Sequence, residues 1–412
     1  MLAIASLLAI GFATLMPEPP AKTGSHLCLA CGSLGIVNAV LNVLLFVPLG
    51  VGLALYGIDW KRAIGFACAL STSIEITQFL AIPGRYSTVG DVITNTLGGA
   101  LGFALGRYAE TLLRPTPRIA RRLLVGWSLI WLTVQLVSSY GFAISMPTSQ
   151  YYGQIARRLG SYDVFRGRVL SASVGAVSIP NTSLADSRSV RDALLGGAEV
   201  ATAVTPASPT DGIAPIVRVA DNKGREITVL AQRGTEAIFG VHTGASVLKL
   251  RAPLFALDAV FPTHQVVWPD TSSTVFVRGR YLPRGVQLEA QTSGAQHVAQ
   301  VPITASLGWT FWLPFEWFIT GTRAEWILSF LWLFGLAIPL GYWSLRADFL
   351  PRRSRQTPSV LIAAFWIAVL AVGLGLLPMA FGLRAAGVSD WLACLVGILF
   401  GRVAVMLLPH HT

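Results

Sequence analysis

The sequence predicts an all-α polytopic membrane protein of about eight transmembrane helices with an inserted extracytoplasmic all-β sandwich domain. Three observations point there. Apolar runs of about 20 residues, the length that crosses a bilayer, flank a long stretch of different pattern. Charged residues make up 12% of the chain, against about 25% in soluble proteins. The formal net charge of +11 is concentrated in short clusters beside the apolar runs: Lys61–Arg62, Arg107 to Arg122, and Arg346 to Arg355. That is how cytoplasmic loops are charged, and it argues against nucleic acid as a partner.

The first span covers 1–16. It starts at the initiator Met and lacks a charged leader or a small-x-small cleavage site, so it reads as an uncleaved anchor. The others run 36–58, 62–82, 90–110, 122–144, 325–345, 358–381 and 388–408. Placing Lys61–Arg62, RPTPRIARR and RADFLPRRSRQ in the cytoplasm puts both termini inside. It puts 17–35, 83–90, 145–307 and 382–388 outside. The organisation is then a membrane unit at 1–110, a basic loop and fifth helix at 111–144, the sandwich at 145–307, and a Trp-rich segment with three helices at 308–412.

Within 145–307 the residues alternate and are rich in Val, Thr, Ala and Gly. PIVRVA and REITVLAQ flank the turn DNKG, Asp221 to Gly224, which is a strong hairpin signal. SVLKLRAP and STVFVRG read as further strands. Turn residues recur at the short spacing of a β-sandwich. The segment LGWTFWLPFEWFITGTRAEW then carries Trp309, Trp312, Trp317 and Trp326. Trp favours the membrane–water boundary, so this segment is expected to seat the outer domain on the bilayer.

The first unit contains polar residues where a span should have none. Asn38 and Asn42 are four apart, and Ser71, Glu75 and Gln78 are spaced i, i+4, i+7, so each set shares a helix face. Arg85 follows in an outer loop, Asp91 stands at the mouth of the next span, and Asn95 lies one turn deeper. Glu75 falls about 10 Å below the outer boundary at the helical rise. An ionisable group in a span faces a partner or a cavity, and Arg85 is the expected partner of Glu75, with Asp91 competing. The cluster serves either a functional pocket or a lock between helices. Gly98, Gly102 and Gly106 form a small-residue stripe for close packing. Cys68 and Cys394 read as buried thiols. For Cys28 and Cys31, a lone CxxC near His26, a disulfide, a weak metal site and no chemical role all stay open.

These residues resemble the VanZ-like family, named for a teicoplanin-resistance membrane protein. The family pattern reads here as NVLLFVPLG with Asn42, STSIEITQ with Ser71, Glu75 and Gln78, then Arg85, then DVITNTLGG with Asp91, Asn95 and Gly98. The likeness covers residues 1–110. The family's aromatic-acidic pair after the Arg is Tyr86-Ser87 here, so one acid is absent from the outer loop. APIVRVADNKGREITVLAQRG resembles laminin-G or concanavalin A-like sandwiches, which implies a glycan partner at the sandwich. A degenerate repeat is also legible. IPLG (338–341) echoes VPLG (47–50), and Arg384 and Asp390 repeat the spacing of Arg85 and Asp91, with Cys394 in place of the Asn.

The resemblance implies a bacterial inner-membrane protein without a cofactor, linked to glycopeptide resistance. The leading expectation is non-catalytic. Asn38, Asn42, Ser71, Glu75, Gln78, Arg85, Asp91 and Asn95 would line an outer-leaflet pocket among membrane lipids, for a lipid-linked envelope precursor or a lipid-tailed glycopeptide. The alternative is a membrane enzyme on lipid-linked precursors, with Glu75 as general base and Arg85 holding a phosphate. No metal-ligand set, nucleophile elbow or HExxH supports it. A proton-coupled transporter ranks third, because the polar groups lie toward one face and not at the midplane.

Overall fold

The structure, a computed structural model, describes residues 1–16, 28, 32–82, 85, 87–157, 159, 162–206, 208–262, 274–347 and 357–407. Helices α1 (Leu2–Leu15), α2 (Gly35–Leu55), α3 (Trp60–Ala81), α4 (Val89–Arg107), the short α5 (Ala109–Leu113) and α6 (Pro117–Phe142) come first. Their starts follow local chemistry. The Asp59 side chain accepts from Arg62 N to cap α3, the Thr88 side chain accepts from Asp91 N to cap α4, and Pro117 opens α6.

α2 and α4 run parallel and in contact. A Cβ on Gly98, Gly102 or Gly50 would collide with Val43 O, Val47 O or Gly99 O, so the backbones touch as the glycine stripe predicts. α3 runs antiparallel beside them, its Ala67 against Gly99. Leu34, which precedes α2, and Val37 and Leu41 within it pack into the same buried cluster as the sandwich, which fixes the sandwich end of the unit.

The sandwich follows. Its elements are β1 (Tyr151–Ile155), β2 (Arg168–Val174), β3 (Val177–Ser178), α7 (Ser187–Leu195), β4 (Val200–Thr205), β5 (Ala214–Asp221), β6 (Glu226–Arg233), β7 (Glu236–Val241), α8 (Gly244–Val247), β8 (Leu254–Leu257), β9 (Val275–Leu282), β10 (Gly285–Gln291), β11 (Gln296–Pro302) and β12 (Phe318–Ile319). The sheets are ordered β1-β5-β6-β7-β8-β12 and β11-β10-β9-β4-β2-β3. Their facing residues, among them Ile216, Leu230, Phe239, Val204, Val277 and Leu288, form one core. Gly279 lets the sheets pack closely, since a Cβ there would meet the Phe239 ring at 2.5 Å.

The expected hairpin is β5–β6, with Arg218 opposite Val229 and the Asp221 carboxylate accepting from Lys223 N and Arg225 N. Of STVFVRG, Val275 to Gly279 lie in strand β9, and Ser273 lies outside the described residues. SVLKLRAP is not a strand. Its start lies in α8, and Lys249 takes φ 53° before β8 begins at Leu254. Gly244 packs on Tyr140 O of α6, so tertiary contact overrides the β-branched pattern.

A 3₁₀ segment (Ala305–Trp312) leads back to α9 (Arg323–Arg346), α10 (Thr357–Leu370), a π-helical turn (Ala371–Leu376), α11 (Leu377–Ala380) and α12 (Val388–Leu407). The Trp-rich segment packs in part against the helices and itself. Trp309 is buried, with its Nε1 donating to Ser329 Oγ at 3.0 Å, and Trp317 stacks edge-on against it. Only Trp326 is largely exposed. A buried Glu325 carboxylate accepts from Thr320 N, Gly321 N and Thr322 N at 2.8, 2.8 and 3.3 Å, which fixes the start of α9.

Every predicted span is a helix, but among the described residues five are long and apolar enough to cross a membrane: α2, α3, α6, α9 and α12. Two shorter apolar helices, Leu2–Leu15 and Ala364–Ala380, accompany these five, so the described residues support a polytopic membrane part. α1 has 14 residues, α4 carries Asp91, Asn95 and Arg107, and a π-helical turn lies within the apolar helix Ala364–Ala380. Cys68 is exposed, contrary to expectation, because it lies on the outward face of α3, while Cys394 is buried. Cys28 is disulfide-bonded, and Cys31 lies outside the described residues.

α9 and α12 repeat the parallel pairing of α2 and α4. Gly397 meets Phe334 O, Gly401 meets Ile338 O, and Gly341 meets Ile398 O. The third helix differs. Gly373 of the π turn packs on the Trp131 ring and Gln135 of α6, whereas α3 lies along α4.

Candidate functional site

The cluster is assembled where the C-terminal end of α3 meets the N-terminal ends of α2 and α4, beside the sandwich. Asp91 is its hub. Its Oδ1 accepts from Asn42 Nδ2 at 2.6 Å, and its Oδ2 accepts from Thr88 Oγ1 at 2.8 Å. Thr88 N donates in turn to Glu75 Oε2 at 2.9 Å. One residue therefore holds both carboxylates. A turn of helix deeper, Asn95 Nδ2 donates to Ser71 Oγ at 2.9 Å. Ser71 is fully buried, Glu75 and Asn95 nearly so, and Asn42 and Asp91 are half-buried.

α1 closes one side. Gln78 Nε2 donates to Thr14 O at 2.8 Å, and Arg85 donates to Ala13 O at 2.8 Å and Met16 O at 3.1 Å. The arginine thus binds carbonyls left open at the end of α1. Asn38 does not join. It is exposed, one turn before Asn42 at the start of α2. Seven of the eight expected residues therefore gather at one end of the unit.

Ser87 and Thr88 were not singled out from the sequence. Ser87 Oγ donates to Glu75 O at 3.1 Å. The signal for Thr88 is the order Thr88-Val89-Gly90-Asp91, a capping pattern with an acid three residues on. Outside this unit, Gln135 and Ser138 are buried on α6, and neither the Gln135 amide nor Ser138 Oγ has a hydrogen-bond partner among the described residues.

The cluster is rich in acceptors. Besides two carboxylates it has Asn95 Oδ1, buried and without a partner. Among the described residues no group of three or more His, Cys, Asp or Glu is arranged to hold a metal. The order of these groups along α2, α3 and α4 decides what the unit is similar to. Residues 8–112 match the VanZ/LLP1 family model. The match runs from within α1 to the end of α5, so it takes in all the clustered residues and stops before α6 and the sandwich. No curated protein and no solved structure matches the chain. The VanZ-like unit is thus joined here to a two-sheet domain and a second helical half.

Proposed function

We propose that the VanZ-like unit is a non-catalytic binding device of the bacterial cell envelope. Its cluster takes the polar head of a lipid-linked envelope precursor or of a lipid-tailed glycopeptide such as teicoplanin, with bilayer lipid around the tail. The observation that carries this reading is Asn95 Oδ1. Most buried acceptors are paired, so an unpaired one inside this cluster supports a ligand there, and the cluster opens through half-buried Asp91 and Asn42. Carboxylates and an amide oxygen suit the hydroxyl, amide and ammonium donors that such heads carry. The VanZ/LLP1 match supports an envelope role and a link to glycopeptide resistance.

In this reading the chain is a multi-pass protein of the cytoplasmic membrane, with the sandwich outside and both termini inside. Support comes from charge. Lys61, Arg62, Arg107, Arg114, Arg118, Arg121, Arg122 and Arg346 stand at helix ends away from the sandwich, against Arg85, Arg323 and Arg384 near it. The sandwich faces surface glycans.

The test is binding of labelled teicoplanin and lipid-linked peptidoglycan precursor to the protein in nanodiscs, beside Glu75→Gln, Asp91→Asn and Arg85→Ala. Binding to the parent that the carboxylate variants lose is the expected result. Equal binding, or none, across folded variants overturns it. Turnover of the precursor that vanishes in Glu75→Gln with binding retained would establish the enzyme instead.

A further inference from the structure

The sandwich has a recess of about 310 Å³ at its edge strand β1. Gln154 and Arg218 line it and bond to each other, Arg218 Nη1 to Gln154 Oε1, at 2.7 Å. One wall is the segment 179–184, drawn onto β1 by Gly153 N donating to Thr182 O at 2.8 Å. Gly153 permits this, since a Cβ there would strike Pro180 O and Ile179. The other wall is the turn between β5 and β6.

The charged groups at the bottom are already engaged. Arg218 also donates to Glu226 Oε2 and Gly224 O, and Asp221 accepts from Arg225 and Ser149. The rim is different. Among the described residues the Arg157 guanidinium has no acid paired with it, and the side chains of Asn222 and Tyr152 make no hydrogen bond. Asn181 uses only its Oδ1, toward Ile155 N at 3.1 Å. The rim thus offers a cation, two amides and an exposed aromatic ring. Ala156, just before Arg157, holds φ 43° and donates its N–H to Ile216 O at 2.9 Å. A non-glycine residue rarely adopts that conformation, and such strain gathers where a neighbour must be aimed.

Small-ligand sites start at about 300 Å³. This recess is polar, with one uncompensated positive charge, so it suits a sugar that carries an anion better than an apolar molecule. A carboxylate would take charge-assisted bonds from Arg157. Ring hydroxyls would meet Asn181 and Asn222, and the ring face would lie on Tyr152. We propose that the recess binds a carboxylate-bearing sugar unit of a surface glycan, with Arg157 as the ligand of the carboxylate. This takes up the glycan reading of the sandwich and gives it a place and a chemistry. It does not depend on the membrane cluster.

The experiment titrates the full chain in nanodiscs with a hyaluronan tetrasaccharide and with its methyl ester, by calorimetry. The parent should bind the acid about tenfold more tightly than the ester, the order expected for a charged hydrogen bond. Arg157→Gln should lose that preference, and Tyr152→Ala should weaken acid and ester alike. Asn222→Ala gives a second rim variant that leaves the strands untouched, and it too should bind both more weakly. Glu75→Gln should bind as the parent does. No binding by the parent at millimolar saccharide, equal affinity for acid and ester, or parent-like binding by Arg157→Gln would each overturn the proposal. Loss in Glu75→Gln would do so too, by moving the saccharide to the membrane.

Discussion

Glu75 and Asp91 are tied together by the residue that starts α4. Thr88 donates its N–H to Glu75 at 2.9 Å and its hydroxyl to Asp91 at 2.8 Å. The amide bond survives a side-chain change, but the hydroxyl bond does not. Thr88→Val should therefore cost about 1 kcal/mol, as loss of a helix cap usually does. It should also weaken ligand binding, while Thr88→Ser keeps both. Thermal melting and binding assays on the three proteins check this.

Gly102 and Gly401 hold equivalent places in the two helix pairs, on Val47 O and Ile338 O. Alanine at either should force the helices apart and destabilise the fold by about 1–3 kcal/mol, the usual cost of overpacking. Gly126 on α6 has open space around its Cα, so Gly126→Ala should be neutral or should stabilise by up to about 1 kcal/mol. Melting temperatures of the three variants in detergent separate these outcomes.

His242 is buried at the base of the sandwich, and its Nδ1 is bonded to Ser145 O. Burial pushes its pKa below the usual histidine value, aided by Arg225 and opposed by the Ser145 bond and the carboxylates of Asp221 and Glu226. In the unfolded chain it titrates near about 6.5. The unfolded state therefore takes up the proton first as pH falls. The stability that His242 contributes is complete above that value and is lost on acidification toward the folded pKa. Melting temperature should drop from pH 7.5 to pH 5, and His242→Gln should flatten the slope. An unchanged slope in the variant would remove His242 as the cause.

Glu325 holds three backbone amides at the start of α9. Glu325→Ala strands them and should cost about 2–3 kcal/mol, the range for bonds to a charged acceptor. Limited proteolysis near Thr320 should speed up in the variant.

The helices were legible because apolar length alone dictates them, and β5–β6 because Asp221 to Gly224 can hardly do anything but turn. Most of the cluster could be read from i, i+4 and i+7 spacing. That spacing tells which residues share a face but not how far along it the cluster reaches, so Asn38 was placed with Asn42 although it is exposed one turn nearer the helix start. Thr88 was missed because its role depends on a backbone N–H, which every residue type carries. SVLKLRAP misled because its α8 turn is set by contact with Tyr140 on α6, far away in sequence. The same applies to Trp309. Its composition suggests lipid, and only the packed neighbours Ser329 and Trp317 reveal a joint.

The sandwich is inserted between α6 and α9, and these two helices touch: Trp127 Nε1 donates to Leu336 O at 2.8 Å. Both segments of chain that join the sandwich to these helices are also fastened where they meet it. Tyr281 OH donates to Phe142 O at 2.6 Å, and the Phe142 and Phe311 rings stack at 4.5 Å. The sandwich is thus mounted on two adjoining posts instead of hanging from a single stalk. A force on the sandwich is shared between the posts, and it reaches α9 and α12 without passing through a loose linker.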